Sequence, residues 1–331
     1  MSSNRSEPVV VVTGGTGLVG SRLLMEAAST PWQVRALVRS PATGETAART
    51  TWIQGDLLDG HSLCKACTGA DIVIHCAARM EGEPEAVTDS IVLGTANLLD
   101  AARRAGVRRF VHVSSAAVYR AGPMHMADES YPLGGESPYA VAKQRAEEAV
   151  LAASRDLEVV LLRPPAIYGS SDRHLLPLLV SVVRDHAVPL TRAGGAVVSL
   201  ANVTDVAHAL IRSATIPVHA PQVFNVATDP ACTVAFFLDL VAGALGVDLE
   251  VFEMPDDVAM GPEPPPSWDD MTAGLCRPPV PWYLVHEAHL ERSLDISRAR
   301  DTLGLQCAAP HTTALPQAIK ASRFCAPGDG S

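Results

Sequence analysis

Apolar runs alternate with segments of helical spacing through the first half of the chain. Val9–Val12, Gln33–Val38, Thr51–Gln54 and Asp71–His75 read as strands, with a helix over Gly17–Ala28 between the first two. Largely apolar runs of this kind are the signature of strands buried on both faces. Glu85–Ala105 has helical spacing, Arg109–Ser114 reads as a strand, Ser137–Ser154 as a helix and Glu158–Arg163 as another strand. This alternation predicts an α/β fold with a doubly wound parallel sheet.

Beyond Arg163 the alternation loosens. Helices are expected at His174–Asp185, Thr204–Ser213 and Val234–Ala244, with a strand near Val223–Val226, and prolines crowd Pro255–Pro281. The expected division is residues 1–170 for nucleotide binding and 171–331 for a smaller substrate-binding lobe. The strand near 223–227 then returns to the sheet. Irregular loops on such a lobe are suited to building a pocket.

Composition narrows the function classes. The 331 residues carry 26 basic and 36 acidic side chains, a formal net charge of −10, which disfavours nucleic acid as a partner. No apolar stretch reaches the roughly 18 to 20 residues that span a bilayer, and Met1–Pro8 is polar and unlike a secretory signal, so a cytoplasmic protein without membrane contact is expected. Seven scattered cysteines suggest reduced thiols. Cys64 and Cys67 have redox or zinc spacing but no second pair, and His286 and His289 lack a third ligand at a helpful spacing. The two cysteines read as ordinary positions of a helix after Asp59, the two histidines as ordinary residues, and no metal is expected.

The segment Thr13-Gly14-Gly15-Thr16-Gly17-Leu18-Val19-Gly20 follows the first strand and opens the first helix. Gly14, Gly17 and Gly20 meet three needs of a dinucleotide site: a tight turn, close approach of the backbone to a pyrophosphate, and close packing of helix on strand. Gly14, Thr16, Gly17, Leu18, Val19 and Gly20 are therefore candidate cofactor contacts in a Rossmann-type domain. About twenty residues on, the second strand ends in Val38-Arg39-Ser40 rather than in an acidic residue. Arginine there pairs with a 2′-phosphate, which favours NADP(H) while NAD(H) stays possible; the alternative is a solvated strand end. Asp56, followed by Leu57, stands where it would accept from the adenine amino group or cap a helix.

Of the 26 basic residues 23 are arginine, and the three lysines are Lys65, Lys143 and Lys320. Tyr139 and Lys143 lie four residues apart in a predicted helix, one turn apart on one face. With five tyrosines and three lysines in 331 positions, chance supplies such a pair about 0.05 times. A free tyrosine has a pKa near 10, and a neighbouring ammonium is expected to lower it. Upstream, Ser114-Ser115-Ala116-Ala117-Val118-Tyr119 puts two hydroxyls at the carboxyl end of a strand, where ligands bind in such sheets; the alternative reading is capping of the strand end.

With the glycine turn, Ser-Ser-Ala-Ala-Val-Tyr, Tyr-x-x-x-Lys and Arg163-Pro164-Pro165-Ala166-Ile167-Tyr168-Gly169, the chain resembles the extended short-chain dehydrogenase/reductases. The likeness extends through Val203-Thr204-Asp205-Val206-Ala207, Phe224-Asn225-Val226-Ala227 and Leu294-Asp295-Ile296-Ser297-Arg298-Ala299-Arg300. It implies that Ser115 polarises the substrate oxygen, that Tyr139 is the general acid or base, and that Lys143 holds the nicotinamide ribose. It further implies that Cys76, Ala77 and Ala78 line the cofactor, that Pro164 lies near the carboxamide, and that the protein is a homodimer.

Departures from the family's patterns select among its members. Ala116-Ala117 stand where the sugar-nucleotide dehydratases carry Asp-Glu, and Val198 and Ala166 stand where its epimerases hold a substrate diphosphate with arginine and asparagine. Apolar residues there leave a diphosphate uncompensated, so an uncharged, fairly apolar substrate is expected. The Pro278-Pro279-Val280-Pro281-Trp282 segment resembles the 3β-hydroxysteroid dehydrogenase and dihydroflavonol reductase branch. Met80, Met124, Tyr168, His174, Trp282 and Tyr283 are candidate pocket residues. The expected activity is NADPH-dependent reduction of a ketone, or the reverse oxidation of an alcohol, on a hydrophobic small molecule. The alternatives are epimerisation of a sugar or sugar nucleotide, and a non-catalytic nucleotide sensor.

Overall fold

The computed structural model describes residues 7–40, 49–80, 82–191, 194–255, 258 and 263–322. Most of Met1–Pro8 and part of the proline-rich 255–281 stretch lie outside them. Seven parallel strands form the main sheet. In spatial order they are β3 (Thr50–Gln54), β2 (Gln33–Val38), β1 (Val9–Thr13), β4 (Ile72–His75), β5 (Arg109–Val113), then Glu158–Arg163 and Gln222–Asn225. The order reverses direction between β1 and β4. Such a switch opens a crevice at the strands' carboxyl ends.

Val10, Val11, Val12, Ile74 and Val111 are wholly buried because both faces of the sheet are covered. One face packs on α1 (Leu18–Ala27) and α7 (Val203–Thr215), through Leu23, Val206 and Leu210. The other packs on α2 (Gly60–Cys67), α4 (Gly94–Arg104) and α5 (Pro138–Ala152), through Leu63, Leu98 and Val150. The helix expected over 85–105 is broken: α3 (Pro84–Thr88) passes through a π-helical turn at Asp89–Leu93 before α4.

The second core joins α6 (Leu175–Asp185), α8 (Val234–Leu245) and the helices Trp282–His289 and His311–Ala321. Small sheets tie this lobe to the first. Leu200–Asn202 pairs with Ala166–Tyr168, and Arg292–Leu294 lies between Met124–Ala127 and Val197–Val198. These two- to four-residue strands are too short to show periodicity in the sequence.

Candidate active site

The turn after β1 is specified by sterics. Gly14 has φ +72°, and a Cβ there would lie 2.7 Å from Ala77 N. A Cβ on Gly20 would strike the Gly14 carbonyl. Gly17 N donates to Gly14 O at 2.9 Å and closes the turn. Gly17 also caps α1 without a side-chain hydrogen bond, and the first turn of α1 carries no acidic residue. The amide groups and positive end of α1 thus remain available to an anion, and the cradle has no Cβ to fill it. The residues present therefore fit a dinucleotide pyrophosphate.

Cys76, Ala77 and Ala78 follow β4 beside this turn. Below it, Thr13 Oγ1 lies 2.7 Å from His75 Nδ1, and His75 Nε2 lies 3.1 Å from Thr95 Oγ1. Thr95 donates to Ile91 O at 2.6 Å, so its oxygen accepts from His75 Nε2–H and the Thr13 hydroxyl donates to Nδ1. Burial, reinforced by Lys143, pushes the His75 pKa down to about 3 and keeps the imidazole neutral. His112, tilted against it with ring centroids 5.1 Å apart, has neither nitrogen hydrogen-bonded. Sequence reasoning missed this pair, which lies near the carboxyl ends of β4 and β5 among apolar residues.

Ser137 caps α5, its Oγ accepting from Ala140 N at 3.1 Å, and Pro138 occupies the first turn, so Tyr139 and Lys143 face the sheet end one turn apart. Lys143 is buried, and its Nζ donates to Val113 O at 2.7 Å, at the end of β5. Burial lowers its pKa to about 8, with Glu147 opposing the shift. Ser115 Oγ accepts from Ala117 N at 3.1 Å, so this hydroxyl does cap the strand end while also facing Tyr139. Ser114 Oγ is buried without a hydrogen-bond partner.

One expectation is corrected here. The Tyr139 pKa is raised, by burial, and the opposing influence is the Ser115 hydroxyl rather than the ammonium. Lys143 Nζ sits 5.9 Å from the Tyr139 ring centroid and is turned to the Val113 carbonyl.

A single cleft of about 1850 Å³ runs from the glycine turn past Tyr139 into the second lobe. It is lined by Gly14, Thr16, Gly17, Leu18, Val19, Gly20, Arg39, Asp56, Leu57, Cys76, Ala77, Ala78, Ser115, Tyr139, Lys143 and Pro164. Arg39 is exposed at the end of β2. Asp56 Oδ1 accepts from Leu58 N at 2.8 Å, so it also stabilises its own loop. Lys65 and Lys320 are exposed and do not line the cleft.

Of the substrate-side candidates, Met80, Met124 and His174 line the cleft, whereas Tyr168, Trp282 and Tyr283 do not. The Tyr168 hydroxyl lies 2.9 Å from His311 Nδ1 in the lobe's core. Trp282 packs edge-on against Trp268, and Tyr283 is largely exposed. Val198 and Ala166 line the cleft, but so does Arg292, which pairs with Val198 across neighbouring strands and donates to Gly122 O at 3.1 Å. The pocket is thus less free of charge than Val198 and Ala166 suggest.

Cys64 is exposed, and burial raises the Cys67 thiol to about 11. His289 Nδ1 donates to Val285 O at 2.7 Å. Among the described residues no group of three or more His, Cys, Asp or Glu is placed to hold a metal, and no helix is long and apolar enough to cross a membrane.

Residues 10–227 match the model of the NAD dependent epimerase/dehydratase family. The chain belongs to that family. It is similar to a 4-hydroxy-2-methyl-3-oxo-4-farnesyl-3,4-dihydroquinoline-1-oxide ketoreductase from Stigmatella aurantiaca, 31% identical over 261 residues, or 75% of this chain and 76% of that protein. It is also similar to a 3 beta-hydroxysteroid dehydrogenase/Delta 5-->4-isomerase from Mycobacterium tuberculosis, 32% identical over 62% of this chain and 60% of that protein. Among solved structures, MoeE5 in complex with UDP-glucuronic acid and NAD superposes with a TM-score of 0.72 at 25% identity, covering 94% of this chain and 98% of that one. The chain is an NAD(P)-dependent oxidoreductase of this family.

Proposed function

We propose that the protein reduces a ketone on a hydrophobic small molecule, with NADPH as the preferred reductant, or runs the same step in reverse. The observation that carries this reading is Tyr139, flanked by Ser115 and Lys143, in a cleft whose continuation passes Ala166 and Val198 into an aliphatic lobe. The glycine turn and α1 would hold the pyrophosphate, Arg39 a 2′-phosphate, and Lys143 the nicotinamide ribose. When bound, the nicotinamide supplies a hydride to the carbonyl carbon and is oxidised. Tyr139 gives its phenolic proton to the carbonyl oxygen, and Ser115 donates a hydrogen bond to that oxygen as charge develops. Burial holds Tyr139 in its protonated form, which suits a proton donor in the reductive direction. Lys143, protonated below about pH 8, would turn from the Val113 carbonyl to stabilise the phenolate left behind.

A second reading, epimerisation of a sugar nucleotide, is favoured by Arg292 beside Val198, since a guanidinium can hold a diphosphate. The two readings differ in cofactor economy. NADPH oxidation matched by alcohol formation across a panel of ketones supports reduction. Conversion of a UDP-sugar by purified protein that retains its nicotinamide, without net oxidation, contradicts it.

A further inference from the structure

Helix α6 is apolar on two faces. Leu176, Val180 and Val183 point into the lobe's core and are at most 5% exposed. Leu175, Leu178, Leu179 and Val182, spaced i, i+3, i+4 and i+7, form a second stripe, and all four line the cleft that holds Tyr139; Val182 is shared with the lobe's core, and Leu175 and Leu179 are half-buried against it. Leu178 is 40% exposed. A surface helix normally turns one apolar stripe to the core and polar residues outward. A second stripe facing an open cleft is therefore matched to an apolar ligand.

The opposite walls agree in character. Phe237 of α8 and Leu284 of the Trp282–His289 helix line the same space. The carboxylate at the head of α6 is spent on the backbone: Asp172 accepts from His174 N, Leu175 N and Leu176 N. Arg173 and Glu287 also border the cleft but are exposed to water, and half-buried Arg292 is engaged with the Gly122 carbonyl. Apart from Tyr139, the aromatic rings on the described lining are Phe237 and the His174 imidazole, so the grip on a ligand is aliphatic rather than stacked.

We propose that the groove between α6, α8 and the Trp282–His289 helix holds a flexible aliphatic chain attached to the reacting carbonyl, so that the substrate class is long-chain aliphatic ketones. This rests on the ketone-reduction reading and deepens it. The stripe from Leu175 to Val182 is about 10 Å long, the length of an extended chain of roughly eight carbons. A sugar diphosphate would meet no hydrogen-bond donors along that stripe.

The test is a series of methyl ketones from butan-2-one to tridecan-2-one, assayed with NADPH, together with calorimetric binding of the corresponding secondary alcohols. The expected result is that kcat/KM rises, and the alcohol Kd falls, by about fourfold per methylene until the groove is filled. In Leu178→Asp the ratio of long-chain to short-chain kcat/KM is expected to fall at least tenfold, and Leu178→Met to restore it. Turnover and binding that do not depend on chain length, or an unchanged ratio in Leu178→Asp, overturn the groove while leaving ketone reduction standing. If no ketone is turned over yet alcohol affinity still climbs with length, the groove stands and the reductase reading fails.

Discussion

The half of the cleft at the glycine turn is shaped by backbone, and the half beyond Tyr139 by side chains from four segments. In the first half, Gly14, Gly17 and Gly20 bring the chain so close to itself that no Cβ fits at Gly14 or Gly20, and the groups left open to a ligand are amides at the head of α1. In the second, α6, α8, the Trp282–His289 helix and the Arg292–Leu294 strand each contribute a few aliphatic or charged atoms. A backbone-built site tolerates almost no substitution at its tight points. A side-chain-built site changes ligand by exchanging residues within an unchanged frame. Such a division of labour is consistent with one chain being similar in sequence to proteins with such different names while its fold superposes on that of MoeE5.

The sharpest way to break the comparison is at the junction of the two halves. Lys143→Met removes the buried ammonium that reaches Val113 O, and kcat/KM is expected to fall about 10³-fold. Because Lys143 titrates near 8 and is protonated below that value, wild-type kcat/KM at subsaturating NADPH should decline above pH 8. Lys143→Arg, which does not titrate there, should lose that limb, and a persisting decline would assign it to another group. On the backbone side, Gly20→Ala forces a Cβ onto the Gly14 carbonyl. A loss of about 3 kcal/mol of stability, or of cofactor binding, is expected; denaturant titration and NADPH fluorescence separate the two.

Arg39→Asp addresses the one side chain on which cofactor choice is proposed to depend. The NADPH-over-NADH ratio of kcat/KM should fall by about 10- to 100-fold, and an unchanged ratio assigns Arg39 to the solvated strand end. The smallest effect concerns the buried imidazoles. His75 and His112 have pKa values pushed far below 6.5, so the unfolded chain binds protons that the folded one refuses. Their contribution to stability is intact above pH 6.5 and is lost as the pH falls. His112→Leu should make that loss shallower by about 1.4 kcal/mol per pH unit between pH 6 and 4, read from denaturant midpoints across the range.

The sheet and the phosphate turn were legible in the sequence because each is local: an apolar run, three glycines at fixed spacing, or a tyrosine one helical turn from a lysine. The pocket was not. Tyr168 and Trp282 are large and apolar, and pattern alone cannot say whether such residues face a core or a cleft; here Tyr168 is buried against His311 and Trp282 is half-buried against Trp268. Arg292 reaches Val198 only through strand pairing across more than ninety residues. The second stripe of α6 was readable as helical periodicity, but which of its two apolar faces meets the cleft depends on tertiary packing. The rise in the Tyr139 pKa follows from burial that no spacing reveals.

The most direct test of the central claim, that Tyr139 delivers the proton in a cleft built for a ketone, is single-turnover reduction of tridecan-2-one by NADPH-loaded protein, with Tyr139→Phe beside the wild type. The account predicts stoichiometric NADPH oxidation in the wild type and a rate at least about 100-fold lower in Tyr139→Phe, with NADPH affinity unchanged. A Tyr139→Phe protein that reduces the ketone at a near-wild-type rate would contradict it.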